Sequence, residues 1–195
     1  MPAAEVTIAG LAYIRSYLSH REQTGLLDWI DRSPWSADLR RRVQHYGFRY
    51  DYRRKTIEKS VMLGPMPGWA QELADRLHCD GLVARRLNQL IVNEYLPGQG
   101  IAHHVDCEAC FADQIVSLSL GSSCVLTLRL AKTHEQVPLL LEPGSLLVLA
   151  KEARFKWTHG IAARKTDVVG GRVVARRRRV SLTYRTVLNM HRVGA

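Results

Sequence analysis

The chain has 195 residues, of which 46% are hydrophobic and 24% are charged, as in an ordinary globular protein with a core of its own. This composition excludes a disordered tail, a collagen-like chain and a small scaffold held by disulfides. The formal net charge of +10 comes from 28 basic against 18 acidic residues, and most of the basic ones are Arg. Because the planar guanidinium suits carboxylates and phosphates, this charge indicates an acidic partner.

The basic excess is concentrated in two segments. Residues 40–59 hold eight basic and two acidic residues, and residues 164–192 hold nine basic and one acidic. Two basic patches on an otherwise acidic body favour binding to an acidic partner. Two solvated surface loops would give the same pattern.

The start of the chain and its cysteines predict a cytoplasmic protein. The first ten residues lack a basic segment followed by an apolar run, so no secretory signal is expected. No run approaches the roughly 18 apolar residues that span a membrane. The four cysteines, at positions 79, 107, 110 and 124, form no disulfide framework, which favours a reducing compartment.

The first half of the chain predicts mixed elements. Apolar spacing predicts a helix over residues 16–31, and alternating aromatics predict a strand over residues 43–52. Trp69, Leu73 and Leu77 recur every four residues and predict a second helix.

From about residue 88 the chain consists of short β-type runs separated by turn signals. This spacing, without helices between the runs, predicts a sandwich, jelly roll or barrel, hence an α+β, mainly β protein of one domain. The predicted strands are Leu90–Tyr95, Gln114–Leu120, Cys124–Leu130, Val137–Leu141, Leu146–Leu149, Phe155–Thr158 and Val180–Val187.

The His104-x-Asp106 pair is the first candidate for chemistry. On an extended chain, period-2 alternation puts His104, Asp106 and Glu108 on one face. With a second imidazole from His159 on a later strand, the pair would complete the 2-His-1-carboxylate set of non-haem Fe(II). Alone, such a pair is usually a polar strand edge. His103 would point away from the site.

The last predicted strand has one polar and one apolar face. The polar face carries Arg179, Ser181, Thr183 and Arg185, and such a face most often meets solvent. If it faces a cavity instead, its two arginines could hold a dicarboxylate. Asn93 and Tyr95 also share one face of their strand and could add hydrogen bonds.

These residues together resemble the AlkB-type Fe(II)- and 2-oxoglutarate-dependent dioxygenases. The resemblance covers about residues 88–187. The amino-acid sequences of Gln114–Gly121 and Trp157–Ile161 most resemble those of the branch that contains the tRNA wobble-uridine modifying members. Ser181 departs from the Asn that many members carry there. The motifs that carry the resemblance are Asn93-x-Tyr95-x-Pro97-Gly98, His104-x-Asp106, His159, and Arg179 with Arg185.

The resemblance implies a double-stranded β-helix core, about residues 88–187, behind a helical layer and nucleotide-recognition lid, about residues 1–87. His104, Asp106 and His159 would bind Fe(II) as the catalytic centre, with 2-oxoglutarate and O2 as co-substrates. The 2-oxoglutarate would be held by Asn93, Tyr95, Arg179 and Arg185, with Arg179 on its distal carboxylate.

The expected substrate is a modified base in DNA or RNA, including tRNA, bound by a monomeric enzyme. Arg41 and Arg42 would contact phosphates together with Arg53 and Arg54, Tyr46 would stack on a base, and Glu108 would lie near that base. Some of the aromatics in this segment are expected to be core residues instead.

Three alternatives remain open at this point. The same chemistry could act on a methylated protein or a small molecule, or the chain could be a catalytically silent nucleic-acid-binding module. Cys107-x-x-Cys110 could bind zinc, but no second ligand pair is evident. In the run Arg176–Arg179, we expect a solvated loop up to Arg178 and entry into the site for Arg179 alone.

Overall fold

The computed structural model describes residues 7–36, 41–50 and 62–188. Antiparallel strands dominate this part of the chain, and three helices lie between them. The strands are β1 (Leu11–Ile14), β2 (Val43–Tyr46), β3 (Gln89–Tyr95), β4 (Ile101–His104), β5 (Phe111–Gly121), β6 (Cys124–Leu130), β7 (Gln136–Leu141), β8 (Leu146–Leu149), β9 (Trp157–Ile161), β10 (Thr166–Val169), β11 (Arg172–Ala175) and β12 (Arg179–Val187). The helices are α1 (His20–Arg32), α2 (Gly68–Cys79) and α3 (Lys151–Phe155).

Two sheets face each other across a shared apolar core. The larger sheet has the strand order β1-β8-β5-β12-β3-β2, the smaller has the order β4-β9-β6-β7, and β10 and β11 form a separate hairpin. Phe111 and Leu147 of the larger sheet share a core cluster with Leu126 and Trp157 of the smaller one. This is the jelly-roll arrangement, so the predicted mainly β fold is confirmed.

The other face of the larger sheet packs against the two long helices. Ile30 of α1 and Leu77 of α2 belong to one cluster with Leu118 of β5 and Leu182 of β12. The apolar face of β12 therefore points to the helices, which leaves its polar face directed between the two sheets.

Helix α1 begins four residues later than the predicted start at residue 16. The Ser19 hydroxyl accepts a hydrogen bond from the Glu22 amide at 3.3 Å, and the Glu22 carboxylate accepts one from the Ser19 amide at 2.7 Å. This reciprocal capping box satisfies amides at the start of the helix and fixes its first residue.

Two predicted strands have different bounds in the structure. The ladder of β2 ends at Tyr46, because Gly47 has a φ of +78° and a side chain there would meet the Asn88 carbonyl. Phe155 ends the single turn of α3 and does not begin a strand. Residues 51 and 52 of the predicted strand lie outside the described ranges.

The prediction of a solvated loop for Arg176–Arg178 is wrong for two of the three residues. Arg176 is buried and binds the buried Asp167 carboxylate through both Nε, at 2.5 Å, and Nη2, at 2.7 Å. Arg178 pairs with Glu94 at 2.6 Å and also with Asp31. The buried carboxylates of Asp167 and Glu94 therefore hold these cations in place, which the sequence run alone does not reveal.

Glu94 links three parts of the chain through one carboxylate. Its side chain is 3% exposed and accepts hydrogen bonds from Arg42 Nε at 2.6 Å, Arg42 Nη2 at 2.8 Å and Arg178 Nε at 2.6 Å. The hydrogen bonds from Arg42 and Arg178 hold the pKa of Glu94 below its ordinary value despite burial. The carboxylate thus ties β3 to the segment before β2 and to the loop before β12.

We expect Glu94→Gln to lower the free energy of unfolding by about 2 kcal/mol, because hydrogen bonds to a buried charge are lost. Urea denaturation at neutral pH measures this. Since the folded pKa of Glu94 is depressed, its contribution is present above the unfolded pKa of about 4.3 and is lost as the pH falls through the folded value. The matched control is Glu152→Gln, whose exposed pair with Lys156 should contribute under about 0.5 kcal/mol. Equal effects of the two variants would contradict this role for Glu94.

Within the described ranges, no helix is both long enough and apolar enough to cross a membrane.

Candidate active site

Strand pairing brings the two predicted histidine ligands together. β4 and β9 are antiparallel neighbours, and their register sets His104 directly opposite His159. The centroids of the two imidazole rings lie 4.4 Å apart. Asp106 follows β4 by two residues, outside the ladder, and its Oδ2 lies 3.5 Å from His159 Nε2. One ligand atom from each of the three residues lies within 4.8 Å of the others.

The protonation states of these residues suit metal binding. Burial alone would raise the pKa of the Asp106 carboxyl, but Arg185 and the two imidazoles outweigh burial and hold that pKa well below its usual range. Burial lowers the pKa of His159 to about 4, with Asp106 opposing the shift. Near neutral pH, Asp106 is therefore ionised and His159 is neutral, which are the forms that bind a cation.

The polar face of β12 lines the cavity that contains this cluster. Arg179, Ser181, Thr183 and Arg185 all border a cavity of about 700 Å³ between the sheets. Of the two alternatives for this face, solvent or a cavity, the structure shows the cavity. Its opposite face, with Val180, Leu182 and Tyr184, lies in the core against the helices.

Arg179 and Arg185 have different surroundings in the cavity. Arg179 donates from Nη2 to Ser119 Oγ at 2.8 Å and lies over the Tyr95 ring, the residue paired with it across the ladder. Arg185 binds Asp106 Oδ1 through Nε at 2.8 Å and Nη2 at 2.5 Å. Arg185 is therefore already paired with a carboxylate. The assignment of both arginines to 2-oxoglutarate, with Arg179 on the distal carboxylate, stays a prediction.

Asn93 and Tyr95 both line the same cavity from β3. Asn93 Oδ1 accepts a hydrogen bond from Arg41 Nε at 2.9 Å, and the Arg41 guanidinium lies 5.7 Å from the Tyr95 ring centroid. Arg41 thus reaches the cavity wall, and its predicted contact with phosphate stays a prediction.

Three other predicted substrate residues, all within the described ranges, do not line the cavity. Arg42 binds Glu94 and lies over the Trp35 ring. Tyr46 is half-buried, packs edge-on against Trp69 and donates to Gln44 Oε1 at 3.1 Å. Glu108 is exposed and does not border the cavity. Arg53 and Arg54 lie outside the described residues.

The Cys107-x-x-Cys110 pair forms a disulfide, contrary to the expectation of reduced cysteines. The Cys107 carbonyl accepts hydrogen bonds from the amides of Cys110, at 3.3 Å, and Phe111, at 3.2 Å. This turn brings the two Cα atoms to 5.3 Å, within the usual range for a disulfide. Among the described residues, the cysteines join no cluster of metal-binding side chains. The cytoplasmic location stays a prediction.

Sequence reasoning missed three residues that support the site. Ser117 and Ser119 lie on β5 beside β12, where Ser117 Oγ is 3.0 Å from Ser181 Oγ and Ser119 binds Arg179. Their alternation with leucines on β5 was an available signal. The third, Arg154, is fully buried behind Asp106, and nothing in its local sequence indicates this.

The donor set fits Fe(II) and a small dicarboxylate. Two imidazoles and a carboxylate on one side of a point are the ligands of the facial triad of non-haem iron. Arg179 Nε and Arg185 Nη1 are buried and make no hydrogen bond with any described residue. Because buried donors are almost always satisfied, two such donors in one cavity wall fit an anion bound there.

A jelly roll with this triad and these arginines defines a non-haem iron oxygenase, and comparison with protein families gives the same class. The family described as the 2OG-Fe(II) oxygenase superfamily matches residues 20–185. The chain belongs to this family of enzymes, which use Fe(II), 2-oxoglutarate and O2. Its relatives include proteins that are named as AlkB homologues.

Curated relatives carry AlkB-homologue names. The "Alkylated DNA repair protein ALKBH8 homolog" of Arabidopsis thaliana is 33% identical over 95% of this chain and 60% of its own length. The "tRNA (carboxymethyluridine(34)-5-O)-methyltransferase ALKBH8" of Macaca fascicularis is 34% identical over 82% of this chain. This chain covers 25% of the macaque protein.

The solved structure of OsALKBH1 has the same fold. It superposes with a TM-score of 0.67 at 15% identity and covers 93% of this chain and 100% of its own. At this identity the likeness concerns the fold alone.

Proposed function

We propose that the chain is an Fe(II)- and 2-oxoglutarate-dependent dioxygenase that demethylates, dealkylates or hydroxylates modified bases in nucleic acid. The observation that carries the proposal is a single cavity that joins the cluster of His104, Asp106 and His159 to two buried arginines with spare donors. A metal and an anionic co-substrate must meet in one place for this chemistry, and the cavity offers both kinds of ligand.

The side chains of the cavity divide the work of binding. His104, Asp106 and His159 would hold Fe(II) on one side and leave its other positions open. When bound, the metal supplies the oxidation, in which 2-oxoglutarate and O2 yield succinate and CO2 while a substrate C–H bond is hydroxylated. Arg179 would bind the distal carboxylate of the co-substrate, and Asn93 and Tyr95 would orient it.

Arg185 would act on the carboxylate of Asp106. Its two hydrogen bonds to Oδ1 leave Oδ2, the oxygen nearer His159, on the side of the imidazoles. The bonds keep Asp106 ionised and fix its rotamer. Arg185 Nη1 remains available to an anion in the cavity.

The walls of the cavity suit a reaction from which water is excluded. Phe111, Leu126, Leu147 and Leu149 contribute apolar surface around the polar groups. A volume of about 700 Å³ is within the range that holds a drug-sized ligand, so a five-carbon diacid and an extruded base fit together. An enzyme that oxidises a base must take that base out of the stack.

The assignment to nucleic acid rests on charge and on the relatives. The chain carries +10, and the names of two relatives refer to alkylated DNA and to a tRNA uridine. Arg41 would serve as the substrate-side cation at the cavity wall. The residues still proposed to contact substrate are Arg42, Tyr46 and Glu108, and the nucleotide-recognition lid also remains a proposal. The monomeric state stays a prediction.

The test is nucleoside mass spectrometry. The protein, loaded with Fe(II) without oxygen, is given 2-oxoglutarate, O2 and one of three substrates: N-methylated single-stranded DNA, N-methylated RNA, or bulk tRNA. We expect one methylated nucleoside to be lost with equimolar formaldehyde and succinate, or one nucleoside to gain an oxygen atom. His104→Ala is the matched blank.

The outcome also separates the alternatives. If succinate forms but no nucleoside changes, the result would favour a methylated protein or a small molecule as the substrate of the same reaction. Binding of the oligonucleotides without succinate from any substrate would favour the silent binding module.

A further inference from the structure

Asp106 is held in the structure through both its side chain and its main chain. β4 ends at His104, so the main chain at Asp106 receives no support from a strand ladder. Its carboxylate is bound by Arg185. Its main-chain carbonyl accepts a hydrogen bond from Arg154 Nη1 at 2.9 Å.

Arg154 binds two successive carbonyls with one guanidinium. Besides Asp106, it reaches the Cys107 carbonyl through Nη2 at 3.3 Å, and it lies over the Phe155 ring at 4.9 Å. The residue is 2% exposed. Two donors fixed in one plane constrain both the position and the direction of this segment, which a single-point donor would not do.

The helix that carries Arg154 is itself anchored. Ala150 donates its amide to the Gly10 carbonyl at 2.9 Å, and Ala153 donates to the Ala9 carbonyl at 3.0 Å. Gly10 has a φ of +84°, and a side chain there would lie 2.1 Å from the Ala150 carbonyl oxygen. The single turn of α3 is therefore fixed against the segment that leads into β1.

Arg154 also lies close in sequence to the second histidine. Helix α3 ends at Phe155 and β9 begins at Trp157, so only four residues lie between Arg154 and His159. The guanidinium thus joins the segment that leads to His159 with the segment that carries Asp106. These two segments supply two of the three ligands.

We propose that Arg154 is a positioning residue for the metal site, which fixes the Asp106 main chain relative to the strand that carries His159. The role rests on the proposed metal ligands. Arg154 would contact neither the metal nor the co-substrate. The proposal therefore predicts that metal affinity depends on a side chain that lies behind the cavity.

The test measures Mn(II) binding to the folded protein by titration calorimetry, with Mn(II) in place of Fe(II). We expect Arg154→Met to weaken Mn(II) affinity about 10- to 100-fold, as loss of an outer-shell partner does. Arg154→Lys, which keeps the charge but has a single ammonium, should weaken it less. Binding of 2-oxoglutarate at saturating Mn(II) should be unchanged in both variants.

The matched control is Arg176→Met. Arg176 is also buried and binds the Ala162 carbonyl as well as Asp167, and it does not line the cavity that contains the metal cluster. We expect it to lower the unfolding temperature and leave Mn(II) affinity as in the wild type. All titrations are run where circular dichroism shows the variant to be folded.

Three outcomes would overturn the proposal. Wild-type Mn(II) affinity in folded Arg154→Met and Arg154→Lys would show a purely structural role, and so would an equal loss of affinity in the Arg176 control. Absence of Mn(II) binding in the wild type would refute the metal site itself, and with it the proposed function.

Discussion

Replacement of His104 by alanine is expected to abolish succinate formation from 2-oxoglutarate. The triad would lose one of its two imidazoles, and Asp106 and His159 alone would hold Fe(II) weakly and with the wrong open positions. The assay reconstitutes the purified protein with Fe(II) without oxygen, adds 2-oxoglutarate and O2, and quantifies succinate against a blank without protein.

The neighbouring histidine provides the matched control. His103 is exposed, and its Nδ1 lies 3.3 Å from Thr158 Oγ1, outside the metal cluster. His103→Ala removes the same side chain one position away and should leave both succinate formation and Mn(II) affinity near the wild-type values. Normal turnover by His104→Ala would refute the assignment of the metal ligands. Equal loss in both variants would indicate damage to β4 and not to the site.

The metal cluster could be predicted from sequence because the types of its residues and their spacing indicate metal ligands. A His and an Asp two apart remain close on any locally extended chain, and His159 needs only a neighbouring strand to join them. The alternation of side chains that was considered for His104, Asp106 and Glu108 requires an extended strand, and only His104 lies in one. The strand ends at His104, and Asp106 reaches the cluster from a loop that Arg154 and Arg185 hold.

The partners of the arginines could not be predicted from sequence. A run such as Arg176–Arg179 has the same composition whether its cations meet water, phosphate or a carboxylate from another strand. The structure pairs Arg176 with Asp167 and Arg178 with Glu94, and it directs Arg179 into the cavity. Only Arg179 follows from the two-residue alternation of β12. The other pairings depend on loop and strand positions with no local signature.

These pairings also change the interpretation of the net charge. Arg42 was predicted to contact phosphate, and Arg176 and Arg178 were predicted to lie in a solvated basic loop. Buried carboxylates bind all three. Three basic residues of the two segments therefore stabilise the fold through ion pairs. The net charge of +10 already subtracts the carboxylates of these pairs, and Arg41 and Arg179 of the same segments reach the cavity itself.

Replacement of Arg179 by methionine is expected to weaken 2-oxoglutarate binding about 100-fold or more, because a carboxylate left unpaired in a buried site costs about 3 kcal/mol. Arg179 is 3% exposed, and its Nε has no partner among the described residues. The measurement is equilibrium dialysis of 2-oxoglutarate at saturating Mn(II), which separates co-substrate binding from turnover.

Two comparison variants make this result specific. Arg177→Met removes an exposed arginine two residues away and should leave the affinity for 2-oxoglutarate unchanged. Arg185→Met removes the partner of Asp106. We therefore expect this variant to weaken Mn(II) affinity more than it weakens the affinity for 2-oxoglutarate. If Arg179→Met binds 2-oxoglutarate like the wild type while Arg185→Met loses it, the assignments of the two arginines must be exchanged. On the polar face of β12, the arginine that already has a carboxylate partner is thus expected to support the metal site, and the other is expected to bind 2-oxoglutarate.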